Sequence, residues 1–506
     1  MSVIRVQAFR FSFINYLATF IAAISTLWIY PLEWEAYGLA QLIVAFAAFC
    51  IPLATIGTFT VVVKFFPEYR NLGLQQSFLF NVLVLGFGTL CIAMIIVVII
   101  NNPIVRFFDF LSFNADVVVR HKYVIVALIA IMLYNGVLAL HASNYNKIVI
   151  PSIFQNLLPK LILPLLIVGV YMDLNNIAVF AKLWVLSFCI ASVGLTLYLW
   201  YIRGLDIHPR LTFFTQERLK PMLNYASYMG VGAIAGMFVG KLDLIMVGTL
   251  ASLKETGIYG IALFIANVLT IPATGVWQIA SPVISDAFKN NNWERIKEVY
   301  TKSSTNLMLI GVIMYFFILG ALEAVFSLSS RYHDVNVTIS LFTMIGLTKL
   351  MDMGMGVNQL ILTYSSKYRI VAVFVLFTAI LNITLNYFLI RSIGILGAAL
   401  AACITTYVFQ LLKYSYVVQK FGIHPFSRTT PKILVLFTIV LIYYVVFPDV
   451  ASPVLKALLY CTGLVCIYVA GIRLLKIESD VTEEIRQKLK HHFKPLIDRF
   501  SRDDKG

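Results

Sequence analysis

The chain has 506 residues, of which 60% are hydrophobic and only 12% charged, with a mean hydropathy of +0.87. That composition excludes an ordinary soluble domain, and the length allows many membrane crossings. The net charge of +15 would suit a nucleic-acid binder, but the cations alternate between segments separated by apolar runs, so they read as a topology signal and no nucleic-acid partner is expected.

In chain order, apolar spans are predicted near 11–30, 37–63, 77–100, 123–141, 148–171, 177–201, 223–250, 257–284, 303–326, 336–363, 370–390, 393–413, 432–447 and 454–472. The expected fold class is therefore all-α, a polytopic membrane protein of about 14 transmembrane helices. Arg5 and Arg10 lead into the first span without a small-residue cleavage site, so that span is expected to be retained. Alternate segments carry most of the cations, among them Lys64, Arg70, Lys147, Arg203, Arg218, Lys289, Lys302, Lys367, Lys413, Lys420 and the tail from Arg473. The opposite segments hold few, chiefly Arg106, Arg120, Lys122, Lys254, Arg331 and Arg391, which predicts cytoplasmic termini. Cys50, Cys91, Cys189, Cys403, Cys461 and Cys466 fall inside spans without metal or redox spacing, and neither a metal nor a cofactor is expected.

Lys160, Lys241 and Lys349 sit deep inside spans. A charge at mid-bilayer costs about 2.5–3.5 kcal/mol on the insertion scale, so all three are expected to face protein or water. In the fifth span Asn156 and Lys160 share a face, and Pro159 and Pro164 should break the helix and free backbone carbonyls beside the cation. In the seventh, Gly232, Gly236, Gly240 and Asp243 form one face suited to close helix packing, with Lys241 nearly opposite; Asp243 is expected to be structural or hinge-side. In the eighth, Asn267, Thr270, Thr274, Gln278, Ser281 and Ser285 lie within a sector of roughly 80°. The tenth has Lys349, Asp352, Gly356, Gln359 and Thr363 on one face, where Lys349 and Asp352 either neutralise each other or line a cavity. Shorter stripes are Asn15, Thr19 and Thr26, and Thr378, Asn382 and Asn386. The candidate substrate-binding set is thus Lys160, Lys241, Lys349, Asn156, Asn267, Thr274, Gln278, Asp352 and Gln359. Packing between helices is the competing reading of each single stripe.

The last two spans carry almost no interior polar residue and are expected to be peripheral. Lys182 and Glu323 lie near the outer ends of their spans and are expected to snorkel or to sit at the rim, and Lys456, also near a span end, can snorkel. His141, near a helix end, is given no proton-relay role. In the tail, Val481, Ile485, Leu489, Phe493 and Leu496 recur at helical spacing among lysines, the pattern of an interfacial helix.

Tyr37-Gly38-Leu39-Ala40 recurs as Tyr259-Gly260-Ile261-Ala262, and Ile51-Pro52 as Ile271-Pro272, which suggests two parallel halves. Lys241-Leu242-Asp243-Leu244-Ile245-Met246-Val247-Gly248 followed by Thr256-Gly257-Ile258-Tyr259-Gly260-Ile261-Ala262 resembles the seventh-to-eighth helix signature of bacterial oligosaccharide flippases. These form the polysaccharide-transporter branch of the multidrug/oligosaccharidyl-lipid/polysaccharide exporter superfamily. Ala280-Ser281-Pro282-Val283-Ile284-Ser285, Gly394-Ile395-Leu396-Gly397-Ala398-Ala399 and Gly422-Ile423-His424-Pro425-Phe426 also look like that family.

The resemblance implies two six-helix lobes plus two peripheral helices: an N-terminal lobe 1–205, a cytoplasmic linker 206–222, a C-terminal lobe 223–425, peripheral helices within 426–475 and an amphipathic cytoplasmic tail 476–506. It further implies a non-enzymatic transporter in a bacterial inner membrane, moving an undecaprenyl-pyrophosphate-linked oligosaccharide to the periplasmic leaflet by alternating access. Membrane lipids, a glycan polymerase and export machinery would be its partners. Two rivals stand beside it. A drug/cation antiporter of the same superfamily would need a cavity dominated by acids. A membrane glycosyltransferase or O-antigen polymerase would use acids such as Glu33 and Glu35, but generally needs a sizeable outer loop, which this sequence lacks.

Overall fold

The computed structural model describes residues 2–55, 58–71, 75–110, 116–145, 147–205, 220–226, 241–328, 335–365 and 369–477. Among these the chain is helical throughout. The helices are α1 (Ser2–Trp28), α2 (Trp34–Thr55), α3 (Thr58–Asn71), α4 (Gln75–Phe110), α5 (Asp116–Arg120), α6 (Lys122–Ser143), α7 (Val149–Ser152), α8 (Leu158–Tyr171) and α9 (Ile177–Tyr201). They continue as α10 (241–250), α11 (Leu253–Val268), α12 (Ile271–Lys289), α13 (Trp293–Ser327), α14 (Val335–Gly354), α15 (Asn358–Tyr364), α16 (Arg369–Ile393), α17 (Ile395–Phe421), α18 (Thr430–Val446) and α19 (Pro453–Leu474).

Among the described residues, 10 helices are long and apolar enough to cross a membrane, or 11 if the bent pair α11 and α12 is one span. Ser77–Ile92 and Thr430–Val446 are shorter apolar helices. Leu165, Leu197, Trp200, Val445 and Val446 are all at least 59% exposed, as expected of side chains that meet lipid rather than water. The glycine stripe Gly232, Gly236 and Gly240 and almost all of the amphipathic tail lie outside the described residues, as does most of the linker.

Three expected spans are not continuous helices. Pro272 lies in the first turn of α12, and α11 and α12 meet at a bend of 52°. The fifth span opens as α7, widens into a π-turn over Ile153–Leu157 and resumes as α8 at Leu158. The expected tenth span is interrupted between Gly354 and Asn358 without any proline. Gly356 takes φ +54° there, a left-handed conformation that glycine adopts without a steric penalty.

Contacts divide the chain into two compact units. The first comprises Met1–Ile261 and Val375–Ala401, the second Ala262–Phe374 and Ala402–Gly506. The core of the first gathers Leu39 and Ile43 of α2, Phe65 and Phe66 of α3, Phe78 and Val82 of α4, Leu128, Leu133 and Val137 of α6, and Leu195 and Leu199 of α9. Within it the two Tyr-Gly repeats pack directly on one another. A β-carbon at Gly38 would stand 1.8 Å from the Leu253 carbonyl oxygen, and one at Gly257 would stand 2.9 Å from the Trp34 carbonyl oxygen. Removing the side chain at that point is what lets the backbones of α2 and α11 touch.

The core of the second unit joins Ala280 and Ile284 of α12, Ile296 and Tyr300 of α13, Ile361 and Leu362 of α15, and Val417 of α17. Here α18 and α19 pack along α13: the Tyr468 hydroxyl donates to the Leu309 carbonyl at 2.6 Å, and Tyr443 stacks on Tyr460. Lys456 and Glu323 do not simply snorkel. They pair at 3.0 Å, and Lys456 also reaches Asp449 at 2.6 Å.

Candidate functional site

Three polar groups stand out, two in the first unit and one in the second. The first surrounds the interrupted fifth span. Pro159 and Pro164 lack the N–H groups that would bond back to Gln155 and Lys160, so the helix has incentive to widen at this point. Asn156 lies in the π-turn and donates to Asn15 Oδ1 on α1 at 3.1 Å and to Ser152 Oγ at 3.1 Å. The amide of Gln155, also in the π-turn, donates to the Asn135 carbonyl at 2.9 Å. Lys160 follows on α8, half-buried, and makes no hydrogen bond or ion pair among the described residues.

The second group is carried by α10 and α16. Asn382 and Asn386 donate their amides to Asp243 Oδ1 at 3.0 and 2.9 Å, and Asn386 also donates to Asn382 Oδ1 at 3.0 Å. Asn386 is fully buried. Two donors on one carboxylate oxygen tie α10 to α16. Lys241, two residues before Asp243, is half-buried and has no partner among the described residues.

The third group lies in the second unit and contains most of the remaining candidates. On α12, Thr274 and Gln278 are exposed, as is Asn267 on α11. Against α12 packs α15, on which Gln359 and Thr363 are exposed too. Trp277 Nε1 donates to the Gly356 carbonyl at 2.9 Å, and the Ser281 and Tyr364 hydroxyls lie 2.6 Å apart. Exposed amides and hydroxyls on adjoining membrane helices are expensive against acyl chains, so this face meets water. Ser304 Oγ donates to the Gly354 carbonyl at 2.5 Å, which anchors the interruption between α14 and α15 to α13.

Behind that face, α17 carries two polar pairs, with Gln410 and Lys413 both buried. Asp352 accepts a hydrogen bond from Gln410 Nε2 of α17. One turn further along α17, Lys413 Nζ donates to Gln359 Oε1 at 3.3 Å and sits 4.2 Å from the Phe409 ring centroid. Lys413 is 3% exposed. The structure thus brings Asp352 and Gln359 together through residues of α17, while Lys349 lies half-buried one turn before Asp352. The expected span 393–413 ends at Lys413, which counts there as a cytoplasmic-side cation and stands outside the candidate set. The available signal was its spacing from Gln410, three residues apart on a helix that continues to Phe421.

Outside the spans, Glu33 has its carboxyl held above the usual range, chiefly by burial and further by Glu35 and Asp173. Asp449 is held below it by its hydrogen bond from Lys456. His141 is buried, with Nε2 3.1 Å from the Gly204 carbonyl.

This fold defines a class, the multi-pass helical architecture found in membrane flippases and multidrug exporters. Within it, the chain is similar over 98% of its length to all of a solved lipid II flippase MurJ in an inward closed conformation, with a TM-score of 0.67 and 13% identity. It is also similar to an inward-facing multidrug resistance MATE family transporter of the MOP superfamily, covering 80% of this chain and 94% of that one, with a TM-score of 0.63 and 15% identity. In sequence it is 23% identical over 201 residues, 40% of the chain, to Agl15 of Haloferax volcanii, described as a probable low-salt glycan biosynthesis flippase. The match spans 42% of that relative's length. No family model matches.

Proposed function

We propose that the protein is a flippase that carries an undecaprenyl-pyrophosphate-linked oligosaccharide from the cytoplasmic to the periplasmic leaflet of a bacterial inner membrane by alternating access. The observation that carries this reading is the pair Lys160 and Lys241: two half-buried ammonium groups within membrane-crossing sequence, neither with a partner among the described residues. A buried cation is costly unless something anionic meets it, and an anionic headgroup passing through would do so. A pyrophosphate bearing sugars cannot cross hydrocarbon unaided, because its charge and hydroxyls would lose water without replacement. In this reading Lys160, Lys241 and Lys349 offset the phosphate charge. Asn156, Asn267, Thr274, Gln278 and Gln359 meet the sugars, and Asp352 acts from behind Gln359.

Fold likeness to a lipid flippase and sequence likeness to a glycan flippase support the same class. Those relatives are transporters rather than enzymes. Ten long apolar helices, the bent pair, the two shorter apolar helices and the segment 223–250 together make the fourteen-span topology our reading, with lobes 1–205 and 223–425 and both termini cytoplasmic. Asp243 and Asp352 both already accept hydrogen bonds, which weighs against the acid-lined cavity of a cation antiporter.

The deciding experiment reconstitutes the purified full chain into vesicles whose outer leaflet carries lipid-linked oligosaccharide. Movement to the lumen without new glycosidic bonds is the expected result. Chain extension would make the protein an enzyme, and neither movement nor extension would remove the flippase reading.

A further inference from the structure

The two pairs carried by α17, Gln410 with Asp352 and Lys413 with Gln359, each have a direction fixed by their chemistry. An ammonium has donors and no acceptor, so the Gln359 amide must turn its oxygen towards Lys413, as observed at 3.3 Å. Its NH2 group is then left to the exposed side of α15. A carboxylate has acceptors and no donor, so Gln410 must likewise turn its NH2 towards Asp352. Lys413 cannot itself reach a ligand, being 3% exposed and covered by Phe409 and Gln359. Asp352, hydrogen-bonded to Gln410 one turn back on α17, lies within electrostatic reach of it. What this assembly shows to the water side is a neutral amide donor of fixed orientation.

We propose that Lys413 is a positioning residue that locks the Gln359 amide with its N–H groups outward, so that this part of the second unit recognises hydroxyl acceptor oxygens of the glycan rather than the pyrophosphate. The proposal rests on the flippase reading and refines it: Lys160, Lys241 and Lys349 serve phosphate, while the polar face of α12 and α15 serves sugar. Fixing the amide in advance removes the cost of ordering it when the ligand arrives. It also removes the alternative in which Gln359 offers its oxygen and selects donors.

The test uses full-length protein in lipid nanodiscs and two probes, polyprenyl-pyrophosphoryl-chitobiose and the same polyprenyl pyrophosphate without sugar. Binding is followed by intrinsic tryptophan fluorescence. Gln359→Leu should weaken the sugar-bearing probe by about tenfold and leave the sugar-free probe unchanged. Lys413→Met should give the same loss, with no further loss when combined with Gln359→Leu, and Lys413→Arg should restore binding because guanidinium is also donor-only. If Lys413→Met does not fold, Gln359→Glu keeps the pairing with Lys413 but presents no donor outward, and it should lose the sugar-bearing probe alone.

Multiplying losses in the double variant, equal losses for both probes, or unchanged sugar binding by Lys413→Met or Gln359→Glu would overturn the proposal while leaving the flippase reading intact. Failure of the unaltered protein to bind either probe would overturn both.

Discussion

Asp243 and Asn386, 143 positions apart, are joined by a hydrogen bond of 2.9 Å, and the amide of Asn382 donates to the same carboxylate oxygen. Asp243→Ala would leave two largely buried amides without that acceptor. An unmet buried donor costs about 1–3 kcal/mol, so the variant should show reduced protein level and a lower melting temperature in detergent. Asp243→Asn keeps an acceptor and should fall between the two. Unchanged melting of Asp243→Ala would show that the α10–α16 connection contributes little.

Lys160→Ala and Lys241→Ala should behave in the opposite way. Neither lysine satisfies another group among the described residues, so neither substitution orphans a partner and protein level should hold. Loss of a charge-assisted contact to phosphate, about 1.5–3 kcal/mol, corresponds to a transport rate reduced by about tenfold or more. Glycan display at the cell surface, normalised to membrane protein, measures this. Normal display from both variants would remove the lysines from the site.

Gly38→Val places a side chain where the Leu253 carbonyl already stands, 1.8 Å from the β-carbon position. Backbone cannot yield as a side-chain tip can. A loss of about 1–3 kcal/mol or more is expected, seen as a lower yield of monodisperse protein on gel filtration. Substitution at exposed Leu165 of α8 serves as the control and should leave yield unchanged.

At Glu33 the prediction concerns pH. Its folded carboxyl is raised, chiefly by burial, so the folded protein holds that proton more tightly than the unfolded chain does. Stability contributed there is greatest below the ordinary carboxylate range and is lost as pH rises through the raised value. Glu33→Gln should therefore melt like the unaltered protein at low pH and slightly higher at neutral pH. A difference of the reverse sign, or one independent of pH, would contradict the assignment.

Much of this arrangement is written in local sequence. Continuous apolar runs announce the spans, and Pro159 and Pro164 announce an interruption beside Lys160, where the π-turn is found. The repeated Tyr-Gly segments suggest two parallel halves; what the fold shows of them is close packing, with Gly38 against α11 and Gly260 against Tyr37 and Gln41 of α2. Other features depend on partners that sequence does not display. The interruption at Gly354–Val357 has no proline; it is held by Ser304 and Trp277, which lie some 50 and 79 residues away. Lys413 reads as one more cation at the end of a span, because its contact to Gln359 of α15 exists only in the folded chain. Asn267 and Thr274, one stripe on an ideal helix, are separated by the bend at Pro272.

The π-turn at Ile153–Leu157 holds a surplus residue relative to an α-helix of the same reach. Deleting one residue there would let the turn close into ordinary α-helix, with α8 beyond it kept in register. Lys160 would keep its side, while Gln155 and Asn156, inside the turn, would lose the positions from which they reach Asn135 and Asn15. A single residue gained or lost at this turn is thus absorbed locally, changing the polar contacts of the turn without moving the ammonium beside it.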